Sequence, residues 1–365
     1  MKRGKFLLHY TKNCSIINSI LVDGEKYFCS SKLTMYWRNS VKLVSVVVPC
    51  YNEQEVLPMF YEEITKVTGQ MMRDFPELTF EYLFINDGSK DTTLEILRSL
   101  ALKDERVRYI SFSRNFGKES GMYAGLKNAR GDYVVVMDAD LQHPPAFLPQ
   151  MYNFVKDGEF DCATTRRVSR TGESKVRSFF ARMFYKIVNK MSQTEIVDGA
   201  QDFRFMTRQM VDAILEMSEY NRFSKGIFSW VGFRVKYMPY ENVERPAGTT
   251  SWSFWGLFKY AIEGVMAFST APLAFAIIFA IICAVISVPL FLVALIGAIF
   301  CWQVTTAVTA ISGVIFLVGA LILFCIGIVG MYLGKTYMEV KNRPIYLTGE
   351  TDESYRGRKA SGESK

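Results

Sequence analysis

Hydrophobic and polar positions fall into two regimes along the chain. From Leu43 to about Pro239, short apolar runs alternate with amphipathic stretches of helical period. Leu43–Pro49 (LVSVVVP) is a β-branched run closed by proline, the pattern of a strand buried on both faces of a parallel sheet. A helical stretch from Glu55 to about Arg73 follows. Phe80–Asn86 predicts a second strand, with Asp91 or Thr92 capping a helix that runs to Lys103. Val107–Ser111, a helix over Lys118–Ala129 and a strand at Tyr133–Met137 continue the alternation. Asp161–Thr165, Phe203–Met206 and Phe233–Pro239 supply further strands. This order predicts βαβ units and an α/β fold with a mainly parallel central sheet. Ligands of such sheets bind beyond the carboxyl ends of the strands. Four polar motifs fall there: Pro49–Glu53, Asn86–Asp91, Ser113–Lys118 and Asp138–His143.

The second regime runs from Gly264 to Gly334, where no Asp, Glu, Lys or Arg occurs. One membrane span needs ~20 apolar residues, so the run predicts two spans, Ala271–Phe300 and Thr306–Tyr332, joined by a turn at Cys301–Thr305. The turn carries no Lys or Arg, whereas Lys259 precedes the first span and Lys335, Lys341 and Arg343 follow the second. The positive-inside rule then puts both flanks in the cytosol. Trp252–Phe268 is aromatic and amphipathic, as expected of a helix lying in the headgroup plane. The expected division is a basic, poorly ordered extension (1–42), a cytosolic catalytic domain (43–250), an interfacial helix (251–269), two transmembrane helices (270–333) and a cytosolic tail (334–365). The polar stretch after Gly349 is expected to lack order.

Charge and cysteine usage narrow the function. Eight Lys or Arg against Asp23 and Glu25 put six of the seven net positive charges within residues 1–42. The remainder therefore offers no general nucleic-acid surface. The extension lacks an apolar core followed by a small-residue cleavage site, so it does not read as a signal peptide. Two readings stay open for it: a basic arm against anionic lipid, or a translation start upstream of a true one at Met35. Neither carries catalysis. Seven scattered cysteines without CxxC spacing give no disulfide framework and no zinc site.

The chemistry centres on Asp138-Ala139-Asp140 at the end of the Tyr133–Met137 strand. Two carboxylates at i and i+2 beyond a strand end suit a hard divalent cation that also binds phosphate oxygens. Arg166, Arg167, Arg170, Lys175 and Arg177 form a basic cluster ahead of Ser178–Met191, whose apolar residues have helical spacing. Such a loop is either a solvated charged face or a site for an anionic group.

Taken in order, Val46–Glu53 (VVVPCYNE), Asn86–Asp91 (NDGSKD) and Asp138–Gln142 (DADLQ) resemble the successive signatures of family 2 glycosyltransferases with the GT-A fold. Arg114–Lys118 (RNFGK), Asp202-Phe203-Arg204, Arg245–Gly248 and the apolar hairpin resemble, more narrowly, the polyisoprenyl-phosphate glycosyltransferases. These include bactoprenol glucosyltransferases and, more distantly, dolichol-phosphate mannose synthase. The likeness spans about Val44–Leu347.

This resemblance implies roles. Pro49, Tyr51, Glu53, Asp87 and Asp91 would line the nucleobase and ribose pocket, and Lys118 would meet phosphate. Asp138, Asp140 and Gln142 would hold Mg2+ or Mn2+ against the diphosphate, with Arg204 and Arg245 adding fixed positive charge. Asp202, Asp140 and Arg204 would carry catalysis. Arg166, Arg167, Arg170 and Arg177 would capture the phosphate of the acceptor lipid. The implied reaction moves a sugar from a nucleoside-diphospho-sugar, UDP-glucose first and UDP-N-acetylglucosamine or GDP-mannose next, to undecaprenyl phosphate with inversion. The implied partners are these two substrates, with room for a homo-oligomer, a flippase and a downstream glycosyltransferase. The chain departs from the family at Ser251-Trp252, where a basic residue often precedes the aromatic. Gln201–Phe205 also resembles an element of processive polysaccharide synthases, so that activity stays open beside a catalytically silent membrane scaffold.

Overall fold

The computed structural model describes residues 41–167, 199–240 and 304–361, Val197, two short N-terminal strands and scattered positions between 273 and 296. Strands β1 (Ser19–Val22) and β2 (Glu25–Phe28) pair antiparallel within the basic extension. The main sheet is built around β3 (Lys42–Cys50), where the β-branched run lies. Val44, Val46, Val47 and Val48 are buried because helices cover both faces. On one face Val44, Val46 and Val48 join Phe60 and Ile64 of α1 (Leu57–Asp74). On the other, Val47 meets Met122 and Leu126 of α3 (Lys118–Asn128). The α3 backbone comes so close that a Cβ on Gly125 would lie 2.0 Å from Val47 Cγ1, so only glycine fits there.

Strand β3 pairs in parallel with β4 (Leu78–Asn86) and β6 (Tyr133–Val136), and β4 pairs in parallel with β5 (Val107–Phe112). Pro49 is tolerated in a central strand because β6 pairs only with Val44–Val47, leaving no partner that needs its missing N–H. Helix α2 (Thr93–Lys103) connects β4 to β5. Thr92 makes no side-chain cap at its start, but Asp91 Oδ1 accepts the Thr93 N–H at 3.1 Å. The central strands are parallel as the alternation predicts, but the flanks are not. Next to β6 lies β8 (Ala200–Thr207), antiparallel to both β6 and β7 (Cys162–Arg167). Strand β9 (Val235–Tyr240) adds in parallel to β7. Helix α4 (Leu148–Val155) lies between β6 and β7 in the chain, and α5 (Arg208–Glu216) and α6 (Ser224–Trp230) lie between β8 and β9.

Helix α7 (Val304–Val340) contains, over Ile311–Val340, the one stretch among the described residues long and apolar enough to cross a membrane. Ile315, Leu317, Leu323 and Leu333 on it are exposed, which no soluble core helix shows. The helix starts earlier and ends later than the expected span, taking in Val304 and Thr305 of the expected turn. The expected span Ala271–Phe300 lies outside the described residues apart from isolated helical positions. One of these, Ala276, is buried, and its carbonyl accepts Cys325 Sγ of α7 at 3.7 Å. The expected helices Ser178–Met191 and Trp252–Phe268 lie outside the described residues.

The polar C-terminal stretch is ordered, contrary to expectation. Strand β10 (Thr348–Thr351) adds antiparallel to β5, and α8 (Asp352–Ser361) follows it. Glu350 explains the order. Its carboxylate accepts two hydrogen bonds from Arg98 (2.8 Å each) and one from the Tyr109 hydroxyl (2.7 Å), and pairs with Arg358. Asp352 Oδ1 accepts the Tyr109 N–H, so the edge of β5 is covered instead of open. The complete sheet order is β10-β5-β4-β3-β6-β8-β7-β9.

Candidate active site

The loops beyond β3 and β4 are zipped together by side chains. Asn52 Oδ1 accepts the Lys90 N–H (2.9 Å), and the Asn52 N–H donates to Ser89 Oγ (3.0 Å). Gln54 Oε1 accepts from the Thr92 N–H and hydroxyl, and the Glu53 N–H donates to Thr93 Oγ1. Asn52 takes a left-handed φ of 54° to make this turn, a conformation asparagine bears better than most residues. These contacts present Tyr51, 43% exposed, beside Pro49 and Glu53 at the strand ends.

Asp87 is buried and committed. Its two oxygens accept the backbone N–H groups of Phe116 (2.6 Å) and Gly117 (2.9 Å). Burial pushes its carboxyl up, and these two hydrogen bonds oppose the shift. It therefore holds the loop beyond β5 against the loop beyond β4, a role the motif alone does not disclose. Gly88 at φ +64° permits that approach, since a Cβ there would sit 2.4 Å from the Arg114 carbonyl carbon.

Lys118, first residue of α3, forms the centre of the site. Its Nζ lies 2.8 Å from Asp138 Oδ1 and 2.8 Å from Asp202 Oδ2, joining the ends of β6 and β8. Forty per cent of the Lys118 side chain stays exposed, so the cluster opens to solvent. Burial alone would push the Asp202 carboxyl up, but Lys118, Lys225 and Arg204 hold it well below the usual carboxylate range. The same two carboxylates keep the Lys118 ammonium charged against its own burial. Asp140 is 5% exposed, and its Oδ1 accepts the Gln142 N–H at 3.1 Å. Leu141 between them has a φ of 55°, a strained value for leucine that bends the chain back.

The remaining expected residues are distributed unevenly. Arg204 shares a face of β8 with Asp202, yet it is 2% exposed, with its guanidinium over the Phe228 ring at 4.3 Å. It acts on Asp202 through its field and does not line an open mouth. Arg166 and Arg167 end β7 beside Pro239 and Tyr240 of β9. Arg170, Lys175, Arg177 and Arg245 lie outside the described residues. Sequence reasoning missed Lys225 near Asp202, and it missed the Lys118 bridge. The only hint of the bridge is a lysine opening a helix directly after glycine.

His143 is buried between the Phe203 and Tyr240 rings, and neither ring nitrogen has a hydrogen-bond partner. Burial pushes its pKa down, against the opposing fields of Asp138 and Asp140. Acid–base work by histidine has no support here.

An acidic cluster beyond the carboxyl end of parallel β6 and at the start of antiparallel β8, bridged by a cation and walled by two polar loops, suits a phosphate-bearing ligand. Residues 45–215 match the family described as Glycosyl transferase family 2. The glycosyltransferase CsbB of Bacillus subtilis is 41% identical over 85% of this chain and 92% of its own length. The prophage bactoprenol glucosyl transferase homolog of Escherichia coli is 36% identical over 83% and 97%. The SfII prophage-derived bactoprenol glucosyl transferase of Shigella flexneri is 37% identical over 83% and 96%. The chain belongs to the family 2 glycosyltransferases, and it is a glycosyltransferase enzyme. Among solved structures, glucosyl-3-phosphoglycerate synthase of Mycobacterium tuberculosis aligns over 62% of this chain and 78% of its own. At 18% identity and a TM-score of 0.40 it is too distant to carry an argument.

Proposed function

We propose that the protein transfers glucose from UDP-glucose to a polyprenyl phosphate at the cytosolic face of a membrane, with inversion at the anomeric carbon. The observation that carries this reading is the Lys118-bridged acidic cluster at the ends of β6 and β8. The names of the bactoprenol glucosyl transferase relatives support the sugar and the lipid acceptor. A GT-A arrangement is consistent with the parallel strands at the centre of the sheet.

Asp138 and Asp140 would hold Mg2+ or Mn2+ with Gln142. The fit rests on their hard oxygen donors and on the Lys118 ammonium, a cation already stabilised at Asp138. When bound, the ion would neutralise charge on the departing diphosphate. Pro49, Tyr51, Glu53 and Asp91 would receive the nucleoside, with Asp87 fixing the loop behind them, and Lys118 and Arg245 would receive the diphosphate. Arg166, Arg167, Arg170 and Arg177 would hold the acceptor phosphate. An oxygen of that phosphate attacks the anomeric carbon, and the bond from that carbon to the donor's diphosphate oxygen breaks. A phosphate monoester has a second pKa of about 6 and needs no base at neutral pH. Asp202, held ionised, is a weak base. It orients Lys118 and the sugar.

Counting crossings supports the membrane hairpin. Strand β10, beyond α7, pairs with β5 of the sheet that precedes it. Both ends of the membrane segment therefore lie on one side. If α7 spans once, the chain must cross once more between residues 241 and 303. The Ala276–Cys325 contact supports a partner helix there.

The test is to incubate purified protein in membranes with a panel of nucleotide-sugars and undecaprenyl phosphate, reading the lipid product by mass spectrometry. A glucosyl phosphate product from UDP-glucose alone is expected. Asp140→Ala should abolish it without loss of folding. Product from another donor would reassign the sugar, and unimpaired turnover by the variant would remove the acidic pair from the mechanism.

A further inference from the structure

A cleft of about 360 Å3 lies beside the active-site cluster, on the other side of the first turn of α3. Its walls come from the loop beyond β5, from the segment Tyr220–Arg222 and from Ile345, just after α7. It contains two guanidinium groups, those of Arg114 and Arg222. Neither has a carboxylate within ion-pair distance among the described residues. Arg114 stacks on Phe116 at 4.2 Å and donates to the Asn115 carbonyl (3.3 Å). Arg222 stacks on Tyr123 at 4.6 Å and donates to the Met217 carbonyl, while its buried Nε has no hydrogen-bond partner among the described residues. The one acid on the wall, Glu119, is already hydrogen-bonded by the Ser224 N–H and hydroxyl. Asp87 acts on Arg114, and Glu119 and Glu219 on Arg222, from beyond ion-pair distance, and the unsatisfied Arg222 Nε leaves the cleft able to take an anion at closer range.

The depth of the cleft says where that anion comes from. Glu339 accepts hydrogen bonds from the Tyr220 N–H (3.0 Å) and the Asn221 N–H (3.1 Å), so the wall is tied to the end of α7. Glu339 is five residues past Gly334, where the charge-free run ends. That is about 7.5 Å along a helix axis at ~1.5 Å per residue. The polar layer outside the hydrocarbon core is roughly 5–7 Å deep on each side. The cleft thus lies at the outer edge of the headgroup layer when α7 spans the bilayer. We propose that this cleft is a second anion site, in which Arg114 and Arg222 bind a phosphate carried by a membrane lipid. The inference rests on the membrane placement proposed above, but on neither the donor nor the reaction. The lipid is either the polyprenyl phosphate acceptor or a bulk anionic phospholipid.

Binding without turnover distinguishes these sources. The full chain is reconstituted in phosphatidylcholine nanodiscs, with phosphatidylglycerol added in one arm and a polyprenyl phosphate in the other. Retained lipid is counted by native mass spectrometry. Each Lys or Arg near a membrane surface contributes an attraction worth roughly five-fold in affinity. Arg114→Gln and Arg222→Gln should each lower retention of one lipid by at least that factor, and Arg222→Lys should restore part of it. Loss confined to phosphatidylglycerol assigns a structural phospholipid. Loss confined to polyprenyl phosphate assigns the acceptor. Wild-type retention of both lipids by Arg114→Gln, an exposed position whose change leaves the Tyr123 stacking intact, together with Arg222→Gln of unchanged Tm, overturns the proposal. Because no sugar is transferred, a wrong donor leaves this result untouched.

Discussion

At the scale of single residues, the pairing of Lys118 with Asp138 and Asp202 governs what the site can do. A carboxylate that keeps its charge far below the usual range cannot take a proton readily at neutral pH, so in the proposed reaction Asp202 would work by its field and its position. The acceptor phosphate, in contrast, changes charge near pH 6. The sign follows directly: a depressed carboxylate stays ionised throughout that window, whereas the nucleophile loses charge as pH falls through it. The expected profile of kcat/KM for the acceptor therefore drops below about pH 6, and this limb belongs to the substrate. Lys118→Met should lower turnover ~100-fold or more, the usual loss when one fixed charge is withdrawn from a transition state, while leaving the limb where it was. A limb that moves with Lys118→Met would make one of the two carboxylates it bridges, Asp202 or Asp138, the titrating base, because both lose this cationic partner in that variant.

At the scale of elements, legibility tracked locality. Val44–Val48 declares a buried strand because each valine's partners come from covering helices that any α/β sheet supplies. The acidic pair at Asp138 and Asp140 was legible for the same reason: strand, turn and motif are contiguous. The Lys118–Asp202 bridge was not, since it joins residues 84 apart in the chain. Strand β10 was hidden more deeply. Thr348–Thr351 has no apolar period, and its order depends on Arg98 and Tyr109, more than 240 residues earlier. Burial would raise the Glu350 carboxyl, but Arg98, Tyr109 and Arg358 bring it down to about 2. A depressed carboxylate stabilises the docked state above its unfolded pKa of about 4.3, and that contribution disappears as pH falls from there to about 2. Glu350→Gln should thus loosen β10 and α8 at neutral pH as acid does in the native chain. Hydrogen exchange checks it: amides of Thr348–Ser361 and the edge of β5 should lose protection, while those of β3 and β4 keep theirs. Unchanged protection would mean that the ladder with β5 holds the segment without Glu350.

At the scale of the whole molecule, the membrane segment and the sheet constrain one another. Residues on both sides of α7 belong to one sheet, because β10 pairs with β5 across the intervening chain. A single crossing would separate these strands by a bilayer of ~30 Å of hydrocarbon, which no hydrogen-bond ladder can bridge. The proposed second crossing would reconcile the pairing with the exposed apolar surface of α7. On the proposed topology, the basic residues Lys335, Lys341 and Arg343 would put this side in the cytosol by the positive-inside rule. Cysteine labelling reads this geometry in intact cells. With the native cysteines replaced by serine or alanine, a cysteine at Thr305, near the turn, should react with a membrane-impermeant maleimide added from outside. A cysteine at Gly357 in α8, or at Lys103 at the end of α2, should react only after the membrane is opened. The decisive comparison is between Lys103 and Gly357. Equal protection of both means an even number of crossings. If Gly357 labels from outside while Lys103 does not, α7 crosses alone and β10 cannot rest on β5 in the cell.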